Sequence, residues 1–463
     1  MVTSATMLHT TMSDGTTLFG RRRVLRRTGA GIGAVAFAGC QSADDGNADA
    51  AGDVAGDLSG QTITLGLLPP DEVSDLGAPM INCMELAVDQ INAEGGLLGA
   101  DVEYTVGPTN LSVAHARKEY TRMTQEENVD ATFGILLQLR SLMKSIADAE
   151  TIHITCGNPD SFASRLVSRS TSPIDGDPDE EYERYKYHFR YGPPNVDQSF
   201  RALNEGLSLY ADELGWNRVA VYLADLSMLE GIPGRIQEAA GDVIDVPIAE
   251  LVPDGLDDFS PLWDRAEAAD VDVVAMALAL GAPTAVAQWA NQKREFGLGG
   301  LLLGAGSSDF WEESGGLAEG MWTAEMVVPK ADLTQHTRPF IDAYRDAYGT
   351  VPGVMGPLVY DAVRLYADAV RAVGSTDPEA LVPHLEQMTW DRSIAVPDYE
   401  FHGPDHEFAH DPVFNCISPK TCDDPAGVPL LAQWQSDGDG GGTQEVFAPE
   451  QHKTAAYQDP PWM

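Results

Sequence analysis

Apolar positions between residues 62 and 306 follow two alternating spacings. Runs that are wholly apolar, or that alternate apolar with polar residues, predict strands, and the segments between them have the apolar spacing of amphipathic helices. In the first such helix Ile81, Met84, Val88 and Ile91 share one face, and two glycines end it. The predicted strands are 62–68, 101–106, 130–137, 152–156, 218–224, 243–251, 271–280 and 300–306.

The alternation of strands and helices runs twice along the chain and restarts after the "YGPPN" stretch at 191–195. Repeated β-α-β units with right-handed crossovers build a parallel sheet that is covered by helices on both faces. Two rounds therefore predict an α/β fold with two doubly wound, Rossmann-like lobes. Two strong helical patterns follow, over 335–349 and 357–374, before a less regular tail.

Residues 1–39 have the features of a targeting segment. Arg21 and Arg22 open a basic cluster that is typical of a twin-arginine export signal. The apolar run that follows is far shorter than the roughly 20 residues of a membrane-spanning helix. Small residues then precede Cys40, which predicts a lipoprotein cleavage site with lipid on the cysteine sulfur. An ordinary secretory cleavage site beside an incidental cysteine is the alternative.

The segment after Cys40, "QSADDGNADAAGDVAGDLSG", is rich in Asp, Gly and Ala and has almost no bulky apolar residue. Such a composition cannot bury a core, so it predicts a solvated linker that tethers the globular part to the lipid anchor. No later segment of the sequence is apolar enough to predict a membrane crossing.

The chain is strongly acidic, with 71 Asp and Glu against 29 Lys and Arg and a formal net charge of -42. Residues 1–39 hold five Arg and one Asp, a net +4, so the mature chain has a charge near -46. This charge repels itself in dilute buffer and is screened over short distances at high salt. The composition therefore predicts a halophilic, haloarchaeal protein, and it argues against a nucleic-acid partner.

Five stretches of the sequence together resemble a known family. They are "ELAVDQINAEGGLLGADVEYTV", "HFRYGPPNVDQSF", "WNRVAVYLADLSMLEGI", "DDFSPLWDRAEAADVDVVAMAL" and "FIDAYRDAYGTVPGVMGPLVYDAVRLYADAV". In this order, over Thr62–Phe414, they are similar to the leucine/isoleucine/valine-binding family of type I periplasmic binding proteins. The resemblance implies two lobes joined by three crossover segments, hinge closure on a small ligand, no cofactor, and ABC permease subunits as partners.

The residue patterns and the resemblance together give expected boundaries for the parts of the chain. The expected parts are a twin-arginine signal peptide (1–39), a lipid-anchored linker (40–60), lobe one (61–192 with 329–387), lobe two (193–328 with 388–450) and a C-terminal tail (451–463).

The ligand site implied by the resemblance lies between the lobes. Elementary fold rules favour the same place, because ligands of parallel α/β sheets bind beyond the carboxyl ends of the strands. The positions that match the family's ligand-contacting loops are Leu76, Gln138, Thr155, Cys156, Gly157, Asn158, Met228, Leu280, Gly281, Asp309 and Met355.

Several of these positions depart from the family pattern. The family's acidic residue, which binds a ligand ammonium, falls near Gly306, and the nearest carboxylate in sequence is Asp309. Aromatic positions have become Leu76, Met228 and Met355, which could also be ordinary core residues. Because an unpaired buried ammonium is unfavourable, we expect an amide, a carboxylate or an apolar small molecule rather than a free amino acid.

Two other sets of residues are candidates for chemistry. His402, His406 and His410 recur four residues apart and could share a helical face that binds a metal, but an intervening Gly-Pro interrupts any helix, so no metal site is expected. Cys416 and Cys422 could form a disulfide in an exported chain, or they could stay unpaired.

The leading interpretation is an extracellular, lipid-anchored substrate-binding component of an ABC importer. Its ligand would be a branched-chain amino acid, an amide, urea or a short carboxylate. A membrane-tethered ligand sensor for a receptor has the same fold and stays open as an alternative. An exported α/β enzyme would need a nucleophile with a neighbouring base, and the sequence contains no such motif, so we do not expect an enzyme.

Overall fold

The computed structural model describes residues 56–199, 214–240, 244–307, 309–414 and 430–463. The signal peptide, Cys40, and the proposed disulfide pair Cys416 and Cys422 lie outside the described residues. Asp53–Met463 is one compact unit, and it contains two sheets dominated by parallel strands. The predicted α/β fold with two lobes is therefore confirmed.

Lobe one is built on a five-stranded sheet in the order β2-β1-β3-β4-β5, and every neighbouring pair is parallel. The strands β3, β4 and β5 are buried along their whole length, as strands covered on both faces are. The five strands are β1 (Thr62–Leu68), β2 (Asp101–Val106), β3 (Ala131–Gly134), β4 (Ile152–Cys156) and β5 (His188–Tyr191).

Helices cover this sheet, and a π-helical turn over Arg122–Glu126 extends one of them. The α-helices of lobe one are Gly77–Ala93, Val113–Thr121, Leu139–Ala149, Ser161–Leu166, Pro178–Tyr185, Thr337–Tyr348, Gly356–Val373 and Pro378–Leu385.

The helix Gly356–Val373 is the most deeply buried of these, and it packs on the helix Gly77–Ala93. Gly356 makes the close approach possible. A Cβ at this position would lie 2.7 Å from the carbonyl oxygen of Pro79 and 2.8 Å from the Sγ of Cys83. The contact fixes the start of the buried helix, and with it the preceding loop, against the carboxyl edge of the sheet.

Lobe two is built on a seven-stranded sheet in the order β12-β11-β10-β9-β8-β6-β7. The strands β6 to β10 pair in parallel, whereas β11 is antiparallel to both β10 and β12. The seven strands are β6 (Arg218–Ala224), β7 (Asp245–Val252), β8 (Val273–Leu278), β9 (Gly297–Leu302), β10 (Trp322–Glu325), β11 (Leu430–Ser436) and β12 (Gly442–Ala448).

The core of lobe two centres on aromatic side chains, among them the fully buried Trp263 and Trp289. Short 3₁₀ turns occur at Ser227–Leu229 and Glu450–His452. The fully described α-helices of this lobe are Ile232–Ala240, Ser260–Ala268, Ala282–Gln292 and Phe310–Glu313.

The chain passes between the two lobes more than once. It leaves lobe one after β5, and it returns after β10 to begin the helix Thr337–Tyr348. It reaches lobe two again between Phe414 and Leu430, over residues outside the described ranges.

The segment after the last helix of lobe one lies in a different lobe from the predicted one. The expected boundary placed 388–450 in lobe two. In the structure Trp390, Tyr399 and Phe401 are buried in the lobe one core, and only β11 and β12 join the sheet of lobe two. The segment up to Phe414 therefore belongs to lobe one, because its large aromatic side chains find their apolar partners there.

The C-terminal residues 451–463 also pack on a lobe. The Tyr457 ring meets Trp216 edge-on, with 5.3 Å between ring centroids. The indole nitrogen of Trp462 donates to the carbonyl of Arg294 at 2.9 Å. The predicted tail is thus part of lobe two.

Candidate functional site

Loops at the carboxyl ends of the two sheets meet in the structure. Leu303, just after β9, and Val327, just after β10, pack against the core of lobe one. The loop after β1 also approaches lobe two, since burial and the neighbouring Asp75 carboxyl raise the pKa of Glu313. The candidate site is therefore the region where these carboxyl-edge loops face one another, as the fold class predicts.

Three predicted site residues lie together at the edge of lobe one. Gly157 has a φ of +81°, and a Cβ there would lie 2.7 Å from the Sδ of Met355. Leu76 is half-buried just before the helix Gly77–Ala93. A Cβ on Gly353 would lie 3.2 Å from the Asp75 carbonyl oxygen, so the loop of Leu76 is next to the loop of Met355.

Gln138 lies at the start of the helix Leu139–Ala149, beyond the carboxyl end of β3. Its side chain is buried, with 5% of the residue exposed, and its Oε1 has no hydrogen-bond partner among the described residues. An unpaired buried polar atom is costly, so this amide oxygen lacks a hydrogen bond that buried polar groups normally have.

The side chains of Thr155 and Cys156 point into lobe one. The Thr155 hydroxyl hydrogen-bonds the Nε2 of His153 at 3.0 Å and the Nε2 of His188 at 3.2 Å. Burial lowers the pKa of His153 to about 3, so this network contains neutral imidazole. Cys156 is a fully buried core residue, and burial raises the pKa of its thiol to about 12. Both side chains pack inside lobe one, so only the backbone N–H and C=O groups of Thr155 and Cys156 face the loop.

Asn158 fixes the shape of the loop after β4. Its Nδ2 donates to the carbonyl of Leu136, and its Oδ1 accepts from the backbone N–H of Asp160 at 2.8 Å. The side chain is fully buried. Asn158 therefore ties the β4 loop to the β3 loop that leads to Gln138.

We expect Asn158→Ala to lower the free energy of unfolding by about 1 to 3 kcal/mol, because two buried backbone groups lose their partners. Chemical denaturation in molar salt measures the change. Asn291→Ala, at an exposed position near the end of the helix Ala282–Gln292, is the matched control and should be near neutral. Equal stability of the two variants would show that Asn158 does not hold the loop.

The predicted residues of lobe two lie on loops after β6 and β8. Met228 is half-buried in a 3₁₀ turn. Leu280 is 48% exposed, and its backbone N–H donates to Oδ1 of Asp254 at 2.9 Å. Gly281 has a φ of +88° and begins the helix Ala282–Gln292. These residues lie on loops at the carboxyl edge of the lobe two sheet.

Asp309 is exposed on the same side, directly before the short helix Phe310–Glu313. Burial is the main cause of the raised pKa values of Glu313 and Tyr344, and the Asp309 charge adds to both. Because Tyr344 belongs to lobe one, Asp309 lies at the rim where the lobes meet, in an acidic surrounding.

A carboxylate that the sequence analysis did not select lies at the place where the family's acid was expected. Glu325 ends β10, and only 4% of the residue is exposed. A Cβ on Gly306 would lie 2.4 Å from the Oε1 of Glu325 and 2.5 Å from Val354 of lobe one. The Glu325 carboxyl therefore fills the space next to Gly306, between the lobes.

The electrostatic surroundings of Glu325 are unusual. Burial raises the pKa of this carboxyl to about 8, and only the hydrogen bond with Thr323 opposes the rise. Within the described part of the chain, no Lys, Arg or His forms an ion pair with it. In the sequence, the only feature that could have indicated this carboxylate is an acidic residue inside the otherwise strand-like stretch "MWTAEMVV".

Two surface concavities of the protein are not lined by the predicted site residues. One, of about 220 Å³, is on lobe one between Gln90, Tyr360 and Arg392. The other, of about 450 Å³, follows the helix Ala282–Gln292. Neither concavity is lined by a predicted site residue. The position of the candidate site therefore rests on the carboxyl-edge loops that face one another.

The three histidines of the 402–410 segment do not converge. The His402 and His406 rings stack with centroids 3.6 Å apart, whereas His410 turns its Nε2 to the Glu386 carboxylate at 2.8 Å. Over the residues that the structure describes, we find no group of three His, Cys, Asp or Glu side chains able to hold a metal.

Among the described helices, none combines the length and the apolar character that a bilayer crossing requires.

Comparison with known families agrees with this architecture. The profile of the periplasmic binding protein family matches residues 62–414, more than half of the chain. The chain therefore belongs to the periplasmic binding protein family, as the resemblance of its five stretches indicated. A search of curated proteins finds no match.

Solved structures share the fold at low sequence identity. An ABC transporter substrate-binding protein from Sphaerobacter thermophilus has a TM-score of 0.63 and 19% identity, over 87% of this chain and 100% of its own. LivJ from Streptococcus pneumoniae, in complex with isoleucine, has a TM-score of 0.61 and 17% sequence identity, over 84% of this chain and 100% of its own. A solute-binding protein from Rhodopseudomonas palustris, in complex with 3,4-dihydroxybenzoic acid, has a TM-score of 0.64 and 18% sequence identity, over 87% of this chain and 99% of its own.

Proposed function

We propose that this protein is the extracellular substrate-binding component of an ABC importer. It captures a small polar or amphipathic molecule between its lobes and delivers it to the permease. The observation that carries the proposal is the meeting of carboxyl-edge loops from both sheets, with Gly306 of lobe two next to Val354 of lobe one. A ligand between these loops contacts both lobes and so favours the closed form.

The class of ligand is proposed from the site and from proteins of the same fold. The Streptococcus pneumoniae protein binds isoleucine and the Rhodopseudomonas palustris protein binds an aromatic acid. In this chain Gln138 offers a buried amide, while Met355 and Leu76 add apolar surface. We therefore propose a ligand among branched-chain amino acids, amides, urea and short carboxylates, which is bound and released unchanged.

A thermal-shift screen of these compounds in molar salt tests the function. A ligand that binds only the folded state stabilises it by RT ln(1 + [L]/Kd), or about 2.7 kcal/mol at one hundred times Kd. We expect at least one compound to raise the melting temperature, and mass spectrometry to recover it unchanged. A chemically altered compound would favour an enzyme, and a panel without any hit would contradict the proposal.

We also propose that twin-arginine export and lipid on Cys40 hold the protein at the outer face of the membrane. Cys40→Ser should release it into the medium or leave it unprocessed, because serine cannot form the thioether. Cell fractionation measures the distribution, and Ser42→Ala is the neighbouring control that should stay with the membranes. If the Cys40→Ser variant is processed and stays with the membranes, another feature anchors the chain.

A further inference from the structure

Three arginines and two carboxylates of lobe one form a continuous chain of ion pairs. The Glu94 carboxylate accepts from Nη2 of Arg364 at 2.8 Å and from Nη2 of Arg371 at 3.1 Å. The Asp368 carboxylate accepts from Nη1 of Arg371 at 2.9 Å and from Nη1 of Arg392 at 3.1 Å. Three guanidinium charges thus share two carboxylates, which leaves one positive charge over. In a chain of net charge -42, this local excess stands out.

Both ends of this chain of ion pairs line one cavity. The cavity, of about 220 Å³, lies among the helices Gly77–Ala93, Thr337–Tyr348 and Gly356–Val373. Arg364 and Arg392, the two terminal arginines, are both in its wall. The unbalanced positive charge is therefore located at this cavity.

The fold leaves part of the Arg364 guanidinium without a partner. Arg364 is 4% exposed, and its Nη1 has no hydrogen-bond acceptor among the described residues. Asp361, on the same helix, accepts instead from the Tyr191 hydroxyl and from the backbone N–H of Ile394. Burial raises the pKa of Asp361 to about 7, so this carboxyl is only partly ionised at neutral pH. A buried N–H donor without an acceptor is costly, and an anion in the cavity relieves that cost.

The rest of the cavity wall combines apolar surface with a polar amide. Phe340 and Ile394 line it and are almost wholly buried. Oε1 of Gln90 accepts from the Tyr360 hydroxyl at 2.6 Å, so Nε2 is the second polar atom of this amide and a donor. The volume of about 220 Å³ is several times the roughly 30 Å³ of one water, so the cavity has room for more than a single halide ion.

We propose that this cavity is a binding site for a small carboxylate with an apolar body, and that it is separate from the ligand site between the lobes. None of the predicted ligand-contacting residues lines it. The carboxylate balances the chain of ion pairs at its two terminal arginines, because a planar guanidinium matches a carboxylate with parallel hydrogen bonds. The apolar body packs on Phe340 and Ile394.

Titration calorimetry of the protein in molar NaCl at pH 7 tests the inference. The probes are benzoate, which has a carboxylate on an apolar ring, and benzamide, which has the same shape without the charge. Molar salt screens distant charges, so a preference for benzoate reports direct contacts. We expect the parent to bind benzoate at least about tenfold more tightly than benzamide. Equal affinities for the two probes contradict the inference.

Two variants and a matched control assign the binding to the cavity. Arg392→Gln and Arg364→Gln should each weaken benzoate binding at least about tenfold and leave benzamide binding unchanged. Arg338→Gln is the control, because its side chain is 43% exposed, against 40% for Arg392, and it pairs with Asp332 without lining the cavity. It removes the same charge and should bind both probes like the parent. If Arg364→Gln does not fold, the half-exposed Arg392 still decides.

Crystals soaked with 4-bromobenzoate locate the probe through the anomalous scattering of bromine. We expect bromine in the cavity between Arg364 and Arg392. Bromine only between the lobes, or unchanged benzoate affinity in Arg392→Gln, overturns the inference and leaves the proposed function intact. If bromine occupies this cavity and no compound of the thermal-shift screen binds between the lobes, the inference stands and the proposed function fails.

Discussion

Asp411→Ala should lower the free energy of unfolding by about 3 to 5 kcal/mol, because it leaves the Arg190 guanidinium buried without a counter-charge. Both side chains of this ion pair are 0% exposed. Chemical unfolding in molar salt, followed by circular dichroism, measures the loss. We expect the midpoint to shift strongly while the variant still folds at high salt.

The geometry around Asp411 explains the size of the effect. Its two carboxylate oxygens accept from Nε of Arg190 at 2.7 Å and from Nη2 at 3.0 Å, and Nδ2 of Asn195 donates to it at 2.7 Å. The Ser164 hydroxyl donates as well. One carboxylate thus joins β5, the first crossover between the lobes and the late segment that packs on lobe one.

An exposed ion pair provides the matched control. Asp342 and Arg345 lie 3.2 Å apart with side chains about half exposed. Asp342→Ala should change stability by less than about 0.5 kcal/mol, because water solvates the remaining charge. If both alanine variants lose the same small amount, the buried pair does not support the fold. A double variant, Arg190→Met with Asp411→Leu, should recover part of the loss.

Local pattern predicted the strands β1 to β4 and β6 to β9, whereas β10, β11 and β12 were not predicted. The alternation in "TITLGLL" corresponds to β1 without any change of bounds, and the helix built on Ile81, Met84, Val88 and Ile91 forms as Gly77–Ala93. The predicted strand at 130–137 is shorter in the structure, because Gly134 takes a φ of +104° and turns the chain. The spacing of apolar residues predicts which face of an element is buried, but it predicts the end of a strand less well.

Long-range partners could not be predicted in the same way. Arg190 and Asp411 are separated by 221 positions, and neither neighbourhood indicates the other. Glu325 is one of 71 acidic residues, and its place in the apolar stretch "MWTAEMVV" did not indicate which groups surround the carboxyl after folding. The antiparallel strands β11 and β12 follow a segment that the composition described only as irregular. Each of these features depends on which surfaces meet after folding.

Glu325→Gln should make the unliganded protein more stable than the parent at high pH. The ordinary pKa of this carboxyl is 4.5, and burial raises it to about 8 in the folded state. Between these values the folded parent binds more protons than the unfolded chain, so its stability falls as the pH rises from about 4.5 to about 8 and is level above that. Glutamine does not titrate, and the variant escapes this loss.

The expected gain is absent near pH 4.5 and grows to roughly 5 kcal/mol above pH 8, at about 1.36 kcal/mol for each pKa unit. Urea unfolding of the parent and of Glu325→Gln, from pH 5 to 9 in molar NaCl, measures the difference at each pH. Glu103→Gln is the control, since this exposed carboxyl should give a profile parallel to the parent. Parallel profiles for Glu325→Gln as well would mean that the carboxyl is ionised at no cost in the folded protein. A partner within the fold would then have to neutralise the carboxylate. A widening gap would instead show that the folded protein buries this carboxyl without a counter-charge.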